Sequence, residues 1–142
     1  MSVERAVGQL RSAEQRWSAA LVQHRLAPPD AGYARRLRDL ADACEQQQVA
    51  YQYAATQGLG WDPPPAAAVL NVPHELDPGS GRRGPRELWK RFDTAVEDLR
   101  TALTGISLAA IGRGFGELSL AARDLAQTID QTPGAARSRR GR

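Results

Sequence analysis

The sequence predicts an all-α protein: an antiparallel helical hairpin followed by a long C-terminal helix, kinked or continuous, the whole forming a three- or four-helix bundle. Three observations predict it. Apolar residues recur at steps of four and three through most of the chain, which keeps them on one stripe of a 3.6-residue helix. No run of alternating residues bounded by turn signals reads as a strand. Proline and glycine gather at a few places and divide the periodic chain into blocks. These blocks set helices at about 3–25, 30–57, 85–104 and 107–131 within one domain over 1–132, a Pro/Gly-rich loop at 58–84, and a disordered basic tail at 133–142.

In the first block Val3, Val7, Leu10, Trp17 and Leu21 keep the four-three rhythm, and Ala6, Ala13 and Ala20 widen the face. Ser2 suits the N-cap, and Glu4 suits the positive end of the helix dipole. Leu26-Ala27-Pro28-Pro29 stops the helix, because proline lacks an amide donor and clashes with the preceding turn. His24 lies near that end, where a histidine interacts well with the dipole and has no second ligand one turn away.

Asp30 is the natural cap of the second helix, whose stripe is Tyr33, Leu37, Leu40, Cys44, Tyr51 and Ala54 or Ala55. Gly58 ends it as a left-handed C′ residue. Two helices of similar length joined by a few residues lie antiparallel. Gln46-Gln47-Gln48 interrupts the stripe, so a glutamine at 47 or 48 must face the hairpin. A buried amide is costly unless paired. The spot is therefore hydrated, bonded to the Tyr51 or Tyr53 hydroxyl, a register-fixing polar layer, or a ligand contact.

Residues 58–84 have no periodic pattern and exceed the usual loop length. Trp61, Val69, Leu70 and Val72 are too apolar for a freely solvated linker, so the front half is expected to lie along the bundle with Trp61 anchored in a groove. The glycine-rich end from Gly79 to Gly84 is expected to be mobile.

The third helix opens with Pro85 in its first turn, where the missing amide costs nothing. Phe92, Val96, Leu99, Leu103 and Ile106 form one row; Ile111, Phe115, Leu118, Ala122, Leu125 and Ile129 form another, one residue out of phase. The mismatch falls at Thr104-Gly105-Ile106-Ser107. Glycine is entropically costly in a helix and Ser107 can cap a new one, so a kink or break is predicted there. The alternative is a continuous helix whose buried face rotates.

The chain has 142 residues, enough to bury a core without metals or disulfides, and 42% hydrophobic with 25% charged residues is the composition of an ordinary soluble domain. Cys44 is the only cysteine, which excludes an intramolecular disulfide, and its apolar neighbours Leu40 and Ala41 mark it as a core residue. No apolar stretch is long enough to span a bilayer and the N-terminus has no signal-like run, so a cytoplasmic location and no membrane partner are expected. The formal charge is +3, but Arg137, Arg139, Arg140 and Arg142 lie in the last ten residues, and subtracting these four leaves −1 on the rest. The high isoelectric point thus reports a tail and not a basic face.

Chemistry is poorly supported, and no catalytic residue, cofactor or metal is predicted. The histidines are His24 and His74, no Gly-x-Ser-x-Gly elbow is present, and Glu-x-x-His spacing does not occur. Gly79-Ser80-Gly81-Arg82-Arg83-Gly84-Pro85 could receive an anion at a helix start, through Arg82 and Arg83, although it lacks the Lys and Ser/Thr of a phosphate-binding loop. Arg137, Arg139 and Arg140 could add salt-sensitive attraction to nucleic acid or an acidic protein.

The segment Ser107 to Gly116, followed by Glu117-Leu118-Ser119, resembles the first helix and glycine turn of a helix-turn-helix motif. That resemblance implies a reading helix opening at Leu118, with Arg123 as its cation and Asp124 and Asp130 unfavourably placed toward phosphates. The competing account makes Gly112, Gly114 and Gly116 sites of close approach by another helix.

The sequence therefore predicts a non-enzymatic regulatory or scaffolding protein that acts by protein–protein contact through Trp89, Phe92, Ile111, Phe115, Leu118, Leu125 and Ile129, with a protein partner or a second copy in a homodimer. A continuous helix of about 45 residues would reach about 70 Å and overhang the hairpin, exposing that stripe; a break at Gly105 would let it fold back and cover it. The alternative function is a small DNA-binding regulator or nucleic-acid accessory using residues 107–125 and the basic tail.

Overall fold

The computed structural model describes residues 2–26, 33–61 and 86–130. They form four helices and, among the described residues, no strand: α1 (Ser2–Leu26), α2 (Tyr33–Thr56), α3 (Arg86–Leu103) and α4 (Leu108–Asp130). The expectations for the Asp30 cap, the Pro85 first turn, the Gly79 to Gly84 end and the 133–142 tail all fall outside the described residues.

The long stretch breaks where its phase slips. α3 closes with 3₁₀-type bonds from the Thr104 amide to the Thr101 carbonyl (3.2 Å) and from the Gly105 amide to the Ala102 carbonyl (3.0 Å). Ser107 then caps α4, its hydroxyl accepting from the Ala110 amide at 3.1 Å. The continuous helix is thus excluded, and Ile106, expected on the buried row, stands 99% exposed because the helix ends three residues before it. Breaking one helix forfeits a few hydrogen bonds worth about 1 kcal/mol each. Folding α4 back buries Ile111, Phe115, Leu118 and Leu125 completely, at about 1.5–3 kcal/mol per large side chain, so folding back wins.

α2 and α4 share the most extensive contact, α1 packs on α2, and α3 packs on α4. Each neighbouring pair is antiparallel. In α1 and α2, Arg5 lies over Tyr53 while Arg16 meets Asp42. In α2 and α4, Gly112 faces Gln52, Gly116 faces Gln48 and Arg123 reaches Asp42. In α3 and α4, Gly114 faces Leu99 and Arg91 reaches Asp124. The hairpin expected of α1 and α2 is present, and α2 and α3 run in the same direction. The end of α2 and the start of α3 therefore lie at opposite ends of the bundle, which a short turn cannot join; the length of the Pro/Gly-rich connection is a requirement of the topology.

Three glycines let α4 sit between two neighbours. A Cβ at Gly114 would come 3.1 Å from Leu99 Cα, and one at Gly116 would come 2.5 Å from Gln48 Nε2. A Cβ at Gly112 would come 3.3 Å from the Gln48 carbonyl. This is the close approach predicted for these residues, and it removes the helix-turn-helix reading: α4 is one helix from Leu108 to Asp130, with no turn at Gly112 to Gly116.

In α1 the buried row is Ala6, Leu10, Ala13 and Trp17, and Val3 stands half exposed. In α2 the expected row holds: Leu37, Leu40, Cys44, Tyr51 and Ala54 are all fully buried. α2 ends in a Schellman motif around Gly58, whose φ is 65°: the Gly58 amide donates to the Ala55 carbonyl and the Leu59 amide to the Ala54 carbonyl, both at 3.1 Å. The turn sends Leu59 and Trp61 back against the core, as expected of Trp61.

Candidate functional site

The seven residues predicted to form a partner interface are all inside the bundle. Phe92, Ile111, Phe115, Leu118 and Leu125 are fully buried, and Trp89 and Ile129 are buried. Their stripe is covered by the chain's own helices, so it offers no free docking face; this corrects the expected interface. Periodicity identified the shared face correctly but not what covers it. The predicted anion contacts Arg82, Arg83, Arg137, Arg139 and Arg140 lie outside the described residues, as does His74.

At the surface of the described residues α1 and α2 form a groove of about 480 Å³. Its lining includes small residues, exposed Gly8 and buried Ala50, beside Val49, which is 57% exposed. Polar groups line its sides. Arg5 sits at one end, its guanidinium 5.8 Å from the centre of the Tyr53 ring. At the other end Gln46 accepts from Arg16 at 3.3 Å and donates to the Ser12 hydroxyl at 3.5 Å. Gln9 completes the lining, and Arg5 is the one charged residue among those that form the groove.

Gly8 distinguishes this groove. A glycine inside a helix costs about 0.5–1 kcal/mol against alanine. At Gly112, Gly114 and Gly116 a neighbouring helix accounts for that cost, whereas a Cβ at Gly8 would meet nothing within 4 Å. No contact within the described chain requires Gly8. Sequence reading passed over these residues because it followed the apolar rows; a glycine in a regular helix and a valine off the α2 stripe were the available signals.

Two further clefts flank α4. One, against α3, mixes Lys90 and Arg91 with Asp98 and Glu117; the other, against α2, mixes Arg113 and Arg123 with Glu45 and Glu117. Leu120, 64% exposed, borders both. In the second cleft Arg123 is already engaged: it donates to Asp42 at 2.6 Å, to Glu45 at 2.7 Å and to the Ser119 hydroxyl at 3.1 Å. Hydrogen bonds to Glu45 and then Asp42 hold its pKa up. Asp42 also meets Arg16 at 3.8 Å, so one network ties α1, α2 and α4 together.

Among the described residues no group of three or more His, Cys, Asp and Glu side chains comes together in a way that could hold a metal ion. Cys44 is fully buried as predicted, and burial pushes its thiol up, with Arg123 acting weakly the other way; it is not a poised nucleophile. Gln47 takes the buried position predicted for a glutamine at 47 or 48, but neither amide atom has a hydrogen-bond partner among the described residues. No helix among the described residues is long and apolar enough to cross a membrane.

No family model, curated protein or solved structure matches this chain.

Proposed function

We propose that this protein is a non-enzymatic helical interaction module whose contact surface is the α1–α2 groove, and that its partner is an acidic amphipathic helix of another protein. The observation that carries the reading is Gly8: a helix-weakening residue that lines a groove and whose open flank meets nothing within the described chain. A shallow channel between two antiparallel helices suits a third helix laid along it. Small lining residues let a partner backbone approach closely, and Val49 supplies exposed apolar area beside them. The charge is one-signed: Arg5 has no carboxylate beside it in the groove, which favours an acidic partner.

The test compares proteins retained from the source cells by wild-type chain, Gly8→Leu, Arg5→Glu and a distant control, Leu120→Ser. A partner held by wild type and the control, and lost with Gly8→Leu and Arg5→Glu at unchanged helix content by circular dichroism, is the expected result. An identical retained set for all four chains would remove the reading. Self-association is read from the same variants by sedimentation velocity: a wild-type dimer that Gly8→Leu dissociates would make the partner a second copy instead.

A further inference from the structure

Three fully buried polar side chains of α1 and α2 carry hydrogen-bonding capacity that the described chain leaves unmet. Gln47 and Tyr51 stand one turn apart on the inner side of α2. Trp17 of α1 is buried nearby, on the Phe115 ring that Tyr51 also touches. Its neighbour Arg16 donates to Gln46, the neighbour of Gln47, and both Trp17 and Tyr51 lie against the Phe115 ring, at 5.1 and 5.8 Å between centroids. Gln47 Oε1 and Nε2, Trp17 Nε1 and Tyr51 Oη are all buried without a partner among the described residues. The Gly58 turn adds Trp61, whose indole nitrogen is likewise buried without a partner and lies near enough to the Tyr51 hydroxyl to act on it.

The chemistry of these groups selects what satisfies them. The indoles offer donors only, the carboxamide offers two donors and one acceptor oxygen, and the phenol does both. A metal cation is unsuited to so many donors. An anion is unsuited because the Glu14 carboxylate acts on Tyr51 from α1. An apolar guest leaves every group unmet. A small neutral molecule that both donates and accepts fits, and water is the one that a closed bundle core admits.

We infer that Gln47, Tyr51 and Trp17 line an internal water site, in which water accepts from the Trp17 indole and Gln47 amide and donates to the Gln47 oxygen or the Tyr51 hydroxyl. Such a site makes a glutamine tolerable at the centre of an otherwise apolar seam, and it pins α2 against α1 at one register.

The full-length, nitrogen-15-labelled protein tests this with water as the probe. Long-lived contacts, seen as cross-peaks of opposite sign in NOE and rotating-frame spectra, are expected from the water resonance to the Trp17 indole proton and the Gln47 side-chain amide. Their absence at both groups in the wild-type protein overturns the inference, and needs no variant to fold. In Gln47→Leu the Trp17–water contact is expected to disappear; its survival in a folded variant would overturn Gln47 as the group that holds the water.

Discussion

The Phe115 ring of α4 receives the Trp17 indole of α1 edge-on, with 5.1 Å between centroids and 83° between planes. Tyr51 of α2 stacks beside it at 5.8 Å. One side chain therefore joins three helices, and edge-to-face and offset arrangements are the ones aromatic quadrupoles favour. Phe115→Ala is expected to cost about 3–5 kcal/mol, the range for deleting a buried aromatic, measured by urea unfolding. Leu120→Ala, on the same helix but exposed, is expected to stay within about 0.5 kcal/mol. Equal effects at the two sites would contradict the placement of Phe115.

The glycines should separate by what stands beside them. Gly8→Ala is expected to stabilise by about 0.5–1 kcal/mol, since its Cβ enters open space and helix propensity improves. Gly114→Ala is expected to destabilise by about 1–3 kcal/mol, because the close atom is a Leu99 backbone carbon that cannot step aside. Gly116→Ala should fall between them: its clash is with the flexible end of Gln48. Thermal melts of the three variants give the order.

Burial raises the Glu14 carboxyl above its ordinary value of 4.5. Just above that value the folded state keeps a proton that the unfolded chain has lost, so stability falls as pH rises through this window and then levels off. Glu14→Gln removes the effect. Its melting temperature relative to wild type is expected to be higher at pH 7 than at pH 3; an equal difference at both would show that Glu14 is not desolvated. The Tyr51 phenol is likewise raised above its ordinary 10.0, chiefly by burial and then by the Glu14 charge. The corresponding loss begins as pH rises past 10 and should be smaller in Tyr51→Phe.

Arg123 bridges Asp42 and Glu45, yet its side chain is 38% exposed and both acids more so. Solvent screening therefore limits the network to the scale of surface pairs, and Arg123→Met is expected to cost about 1 kcal/mol or less. Salt should reduce that cost further, read from urea midpoints at low and high ionic strength.

Much of the architecture was legible along the chain because its causes are local. Ser107 caps α4 through a hydroxyl three residues from the amide it receives, and Gly58 ends α2 through its own positive φ. The phase slip marked the break, and the α2 row placed Cys44 and a glutamine inside. The groove was not legible in the same way, since Gly8, Val49 and Gln46 acquire meaning only when α1 and α2 lie side by side.

By itself the sequence determined four amphipathic helices, where the last two part, and which residues share a face. Only the tertiary structure decided that α4 turns back onto α2, so that the Ile111 to Ile129 row became interior and the open surface moved to α1 and α2. The physical reason is that periodicity is a property of one helix, whereas burial depends on which neighbour arrives, and that is decided by competition among long-range contacts.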